Sequence, residues 1–515
     1  MKTFIRKNSP LLVTLLLILI FLVSASRGMS NQDFYITLLR SLSNGSVVFL
    51  VAAGFSLIFG LLDVLNLAHG TLYMIGAYVG WTVFVRPDTF VDLLAPAFLL
   101  LTGLTLTGAF KQLTGRINLG VTSRRLISWG LIALGVVLAA LILTRYPIAM
   151  WDLENYTRGP VTFSFFADQG MRLPLEHLAF DEISPVLALL GLLVASVIYG
   201  LGIALLGGEK RADGKLNWRG FILFALLGVG AVLITIFNTP LTEWLVKIDS
   251  TWLFLIAIIV AIASGVGLGA GMETTLIRPL YSRPIYQLML TLGLSAIGVE
   301  MVQAIWGRPG FIMPRPAIVK GSGDGCPATS MAGWLENKCA TIQFFDGRIR
   351  VYDEIFIPLM GIIVLIAVWI LLKRTRIGMI IRAGVQDRAM VEALGINVRR
   401  VFTFVFALGV GLATFGGILA APSSGLNTGM GASLLTSALI ALAIGGLTSY
   451  PGAALGSLLV GLVTQFIIKY GQIGIEIPFT DIVFKPSPPL VPASTVLLMV
   501  IVLLFLPGGI MGKKE

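Results

Sequence analysis

Lys373–Arg400 reads KRTRIGMIIRAGVQDRAMVEALGINVRR, and its position between two long apolar runs decides the fold. Lys373, Arg374, Arg376, Arg382, Arg388, Arg399 and Arg400 make it strongly basic. A basic connector between apolar runs long enough to span a bilayer belongs on the cytoplasmic side. From Ala383 to Leu394 the residues favour helix and set Ala389/Ala393 and Met390/Leu394 at i,i+4 on one apolar stripe. Gly384 precedes this short helix, and Gly395 suits its end because glycine takes the left-handed conformation without strain. Such a helix, apolar on one face and charged on the other, suits docking into a groove on a soluble partner. It equally suits a basic helix resting on lipid headgroups. The pattern alone leaves both open.

Outward from this connector the chain is apolar almost throughout. Its 515 residues are 56% hydrophobic and 12% charged, roughly half the charged share of a soluble domain. The fold class expected is all-α, a polytopic helical membrane protein with about 14 candidate transmembrane helices. They run over Pro10–Ser24, Ile36–Gly60 and Asp63–Val85, then near 93–110, 126–144, 186–206, 219–237, 251–275, 284–307, 355–372, 401–421, 432–447, 452–470 and 492–506. The first is read as an uncleaved span rather than a signal peptide cut after Val23-Ser24-Ala25.

The alternation is self-consistent. Basic connectors at 111–125, 207–219, 276–283 and 373–400 fall inside, and the longer loops at 145–185, 308–354 and 471–491 fall outside. Both termini are then cytoplasmic. The net charge of +11 follows from these connectors and is a topology signal, not a nucleic-acid footprint.

Few residues invite chemistry. Asn66-Leu67-Ala68-His69-Gly70 interrupts two apolar halves, so Asn66, His69 and Gly70 are candidates for lining a substrate path. Equally, Asn66 caps the following helix while His69 bonds locally. Glu300 is a carboxylate inside an apolar run, costly there and hence a further pathway candidate; Glu273 lies near Arg278, a local ion pair. Cys326 and Cys339, the two cysteines of the chain, share one outer loop where a disulfide is chemically permitted. There is no G-x-x-x-x-G-K-[ST] phosphate loop, zinc spacing or nucleophile–base constellation. No catalytic residue, metal or cofactor is therefore assigned to this chain.

Several of these stretches resemble one family. RAGVQDRAMVEALGINVRRV is similar to the coupling loop of ABC-importer permeases, with Glu392, Ala393 and Gly395 on its Glu-Ala-(x)-Gly kernel. Asp387 and Leu394-Gly395-Ile396-Asn397 bring it nearest to the branched-chain amino-acid permeases. Asn66–Gly70 resembles that family's Asn-Phe-Ala-His-Gly signature, with Leu67 in place of Phe. METTLIRPLYSRPIYQLMLTLGLSAIGVEMVQAIWG matches its Arg-Pro-Leu connector and Thr-Leu-Gly-Leu helix, and Gly445-Gly446 with Tyr450-Pro451-Gly452 its Gly-Gly…Pro-Gly-Ala turn.

The resemblance covers 37–90 and 251–510, and nothing within 98–250. It divides the chain into an N-terminal span and outer segment (1–35), a first part of the permease core (36–97), a four-span insertion (98–250) and a second core part (251–515). The family core then has about 8 spans, and an even insertion keeps downstream topology unchanged.

By resemblance, the chain is the transmembrane permease subunit of an ATP-driven importer in the inner (plasma) membrane. Gly384, Asp387, Arg388, Glu392, Ala393 and Gly395 would couple it to cytosolic ATPase subunits, which use the ATP. A second permease subunit, an extracytoplasmic solute-binding protein and membrane lipid complete the partners. Solutes would be branched-chain or other hydrophobic amino acids, or alternatively urea or short amides. A secondary transporter or channel needs an ion or proton site, for which Glu300 and Asp63 offer thin support.

Overall fold

In hydrocarbon every backbone polar group must be satisfied within its own segment, so apolar runs of this length become helices. The computed structural model describes residues 23, 26, 28–114, 120–148, 159–172, 180, 182–206, 218–344, 347–386, 388–476 and 483–512. The helices are α1 (Asn31–Leu62), α2 (His69–Val85), α3 (Pro87–Thr105), α4 (Thr107–Thr114), α5 (Val121–Leu143), α6 (Pro160–Asp168), α7 (Pro185–Leu206), α8 (Trp218–Ile236) and α9 (Asn238–Lys247). They continue with α10 (Ser250–Met272), α11 (Pro284–Trp306), α12 (Met331–Asn337), α13 (Ile357–Arg374), α14 (Arg376–Gln386) and α15 (Arg388–Ala393). The last four are α16 (Val398–Ser424), α17 (Met430–Gly445), α18 (Tyr450–Ile473) and α19 (Leu490–Phe505).

Among the described residues, 10 helical stretches are long and apolar enough to cross a bilayer, and α17 and α19 are shorter apolar helices. Every candidate span from Ile36 onward has its helix. Three of them are short: α2 has 17 residues, and α17 and α19 have 16 each. The expected 14 is therefore met in part by full-length spans. Pro10–Ser24 lies outside the described residues.

The chain divides into two compact units, Met1–Trp81 with Asp249–Glu515, and Thr82–Ile248. In the first, α16 is the most enclosed span and packs on α1 and α10, while α1 packs on α18. Glycine permits the α1–α18 approach: a Cβ on Gly461 would fall on the Ser41 carbonyl. α10 meets α16 the same way, Gly265 lying against Thr414. Above these helices Cys326 and Cys339 are joined in a disulfide, and strands β1 (Thr341–Phe344) and β2 (Gly347–Arg350) form an antiparallel hairpin. This loop is tied down where Phe311 and Leu426 exchange backbone hydrogen bonds of 3.0 and 2.8 Å. Phe311 also lies 4.9 Å from Trp81 and 5.7 Å from Tyr78, ring to ring.

In the second unit α3 packs against α7 and α8, and α5 against α7. Thr102 and Ser196 share a buried hydrogen bond of 2.8 Å at the α3–α7 contact. Arg86 is buried but satisfied: it pairs with Asp88 at 2.7 Å and lies 4.3 Å over the Phe163 ring. This unit begins at Thr82, and residue 98, where the sequence division was drawn, lies within α3.

Candidate functional site

The basic connector folds into two helices instead of one. Thr375 breaks α13, and its hydroxyl oxygen accepts from the Gly378 N–H at 3.1 Å. That cap starts α14 at Arg376, so Gly384 lies inside this helix and does not precede a later one. Asp387, between α14 and α15, is outside the described residues, as is the side chain of Arg388.

The end of α15 is ordered by backbone bonds. The Gly395 N–H donates to Glu392 at 3.0 Å and the Ile396 N–H to Val391 at 3.4 Å. Gly395 has φ +79°, the left-handed turn that the sequence favours there. Asn397 then caps α16, its side chain accepting from the Arg400 N–H at 3.2 Å.

The faces of α15 separate by contact. Val391 is buried with Val398 and Phe402, against Tyr281. Met390 and Leu394 are 64% and 72% exposed, and Glu392 and Ala393 are exposed beside them. The short helix is thus anchored by one apolar residue and presents two others outward.

Beneath the anchor lies a charged hub. α10 ends in a π-turn, Glu273–Ile277, that turns the fully buried Glu273 carboxylate inward. It accepts from Arg278 at 2.6 Å, from the Tyr281 hydroxyl at 2.6 Å and from the Thr403 hydroxyl at 2.7 Å. Tyr281 also meets Phe402 edge-on at 6.0 Å. The local pair Glu273–Arg278 is present, and two further donors join it, Tyr281 and Thr403 in the second turn of α16.

Asn66, His69 and Gly70 are all buried. The Asn66 side chain accepts from the Ala68 N–H at 3.2 Å, starting α2. His69 Nε2 is 3.2 Å from the Val51 carbonyl of α1, and its ring packs edge-on to Phe55 at 5.8 Å. Gly70 lies against the Gly431 backbone of α17, which a Cβ would strike. The block therefore sits in the packing between helices. Glu300 stands apart, on an exposed face of α11.

A polar cavity of about 760 Å³ opens elsewhere in the same unit. Arg40, Asn44 and Val47 share one face of α1 at i, i+4 and i+7 and form one wall. Asp353 and Glu354, in the π-turn Val351–Phe356 that leads into α13, face them. The Arg40 Nε donates to Glu354 at 3.0 Å. Asp353 accepts from Arg315 at 2.8 Å and from the Ser423 hydroxyl. Sequence reasoning missed these three residues. Their signal was present: Arg40 is a charge within an apolar run, and Asp353-Glu354 sits at the lip of another.

The family described as branched-chain amino acid transport system / permease component matches residues 220–507, over half of the chain. The match reaches back into the 98–250 segment and takes in nearly all of α8, which the sequence resemblance had left out. Among relatives, the high-affinity branched-chain amino acid transport system permease protein LivH of Salmonella typhimurium is 26% identical over 271 residues, 52% of this chain and 78% of its own. LivH of Escherichia coli K12 is 26% identical over 275 residues, with the same coverage. The corresponding protein BraD of Pseudomonas aeruginosa is 30% identical over 171 residues, 33% of this chain and 51% of its own. No solved structure matches the chain. With its apolar spans, its basic connector and this match over more than half its length, the chain is a multi-pass membrane protein that belongs to the branched-chain amino acid transport permease family.

Proposed function

We propose that this chain is the permease subunit of an ATP-binding-cassette importer for branched-chain or other hydrophobic amino acids. The observation that carries the reading is α15: Val391 anchors it within the unit, Gly395 ends it in a left-handed turn, and Met390 and Leu394 face outward. An exposed apolar pair on a short, firmly seated helix fits a groove on a soluble partner. The partner is a cytosolic ATPase, so α14 and α15 lie on the cytoplasmic side, as do both termini. Movement of α15 then passes through Val391 to Phe402 and Tyr281, and through the Glu273 hub to α10 and α16. A second permease subunit and an extracytoplasmic solute-binding protein complete the transporter, and the polar cavity receives the solute. ATP is consumed by the partner and no cofactor by this chain. Uptake of labelled leucine into vesicles, with the ATPases and binding protein supplied and the proton and sodium gradients collapsed, tests the reading. Uptake should require ATP. Transport driven by a gradient without ATP would overturn it.

A further inference from the structure

The cavity discriminates among the solutes that the importer reading leaves open, and this inference rests on that reading. Its walls carry charges of both signs. Glu354 has a side chain only 2% exposed, whereas that of Arg40 is 46% exposed. Arg40 uses Nε for Glu354, and its two terminal amino groups make no hydrogen bond among the described residues. A guanidinium held by its Nε toward a buried carboxylate is oriented like a clamp whose outer edge remains available. That edge is planar and carries parallel N–H donors, the geometry that takes a carboxylate through two bonds.

The rest of the lining suits the remainder of an amino acid. Asp353, on the same π-turn as Glu354, already takes Arg315 and Arg350 on one carboxylate oxygen and the Ser423 hydroxyl on the other, and its 14% exposed side chain keeps a lone pair of that second oxygen for a further donor. Val47, Ile357, Met430 and Leu434 supply apolar wall. At about 760 Å³ the space is within the range of small-molecule sites. Urea or a short amide carries no charge and would leave the Arg40 edge without its complement. We propose that Arg40 binds the α-carboxylate of the solute and Asp353 its ammonium. The cavity therefore selects zwitterionic amino acids with apolar side chains over neutral amides.

The test uses the full-length permease in lipid nanodiscs, with a Ser43→Cys substitution placing a thiol on the cavity wall one residue from Asn44. A thiol reagent labels this cysteine, and leucine, leucinamide and urea are compared as protectants. Leucine should slow labelling at concentrations where leucinamide and urea do not. Adding Arg40→Gln should raise the half-protecting leucine concentration by about 10- to 100-fold, the worth of a hydrogen bond to a charged group. Arg40→Gln leaves the buried Glu354 with the Arg350 backbone N–H but no cation, so Arg40→Gln/Glu354→Gln is run beside it. That double variant removes both charges and should lose protection equally while keeping the monodisperse elution of the parent. Equal protection by all three solutes, no protection by leucine, or unchanged protection in either Arg40 variant overturns the proposal. The assay needs no ATPase. A transporter that fails in ATP-driven uptake while leucine still protects would sink the importer reading and leave this site standing.

Discussion

Thr403 donates a hydrogen bond of 2.7 Å to Glu273 across 130 residues of sequence. The bond links the π-turn at the end of α10 to the second turn of α16, shortly after the connector. Glu273 is fully buried, so its charge is tolerated because three side chains donate to it. Glu273→Ala should cost about 3–5 kcal/mol, since Arg278, Tyr281 and Thr403 all lose the carboxylate that accepts from them. Thr403→Val should cost less, about 1–3 kcal/mol. Thermal unfolding in detergent, followed by intrinsic fluorescence, should rank them wild type, then Thr403→Val, then Glu273→Ala. Identical midpoints for all three would show that the hub contributes nothing to stability.

Cys326 and Cys339 close a loop whose ends are 13 residues apart in sequence. Loop closure of that size constrains the unfolded chain by about 3 kcal/mol. Thiol labelling without reductant should leave both unmodified, and labelling after reduction should modify both. Membrane-impermeant reagent added from outside, after an impermeant reductant, should reach them in intact cells. Ready labelling without reductant would contradict the disulfide, and labelling only from the cytosolic side would invert the topology.

The helices were legible in the sequence because the bilayer leaves an apolar run few alternatives to helix. Boundaries were less so. Gly384 reads as a helix start, but Thr375, nine positions earlier, offers the better cap and the α14 helix runs through the glycine. The left-handed turn at Gly395 was legible because glycine is the residue type that takes it without strain. Val391 was not singled out, since the stripe drawn through Met390 and Leu394 is as apolar as the face that the fold chose to bury. The charges that line the cavity were visible in the sequence, but their meeting was not. Arg40 and Glu354 are 314 residues apart, and only the packing of α1 against the turn before α13 brings them together.

The Thr82–Ile248 unit carries four stretches long and apolar enough to span: Pro87–Thr114, Thr122–Leu143, Pro185–Leu206 and Trp218–Ile236. Removing an even number keeps every later connector on its original side. A chain lacking 87–248, with a short Gly/Ser linker in place, should therefore still present the basic connector to the cytosol and still co-purify with the ATPase. The family match begins at residue 220, which assigns α8 to the permease region. A deletion that inserts well yet loses the ATPase would show that α8 is required and that the dispensable part ends before it.

Glu392→Arg and Gly395→Pro test the docking face itself. Glu392 is exposed on α15, on the side of the helix away from the Met390–Leu394 stripe, so reversing its charge alters the polar face offered to a partner without touching the Val391 anchor. Gly395 has φ +79° and its N–H donates to Glu392. Proline there fixes φ near −65° and removes the donor, so the turn between α15 and α16 cannot close as it does. Each substitution should lower ATP-driven uptake at least about tenfold, equivalent to ~1.4 kcal/mol of lost coupling, while expression and binding-protein docking stay near wild type. Gly395→Ala, which strains the turn but keeps the N–H, should fall between wild type and Gly395→Pro. A carrier driven by an ion gradient has no use for this helix and would tolerate the Glu392 reversal. Unchanged uptake in both Glu392→Arg and Gly395→Pro would therefore remove α15 from the transport cycle and the importer reading with it.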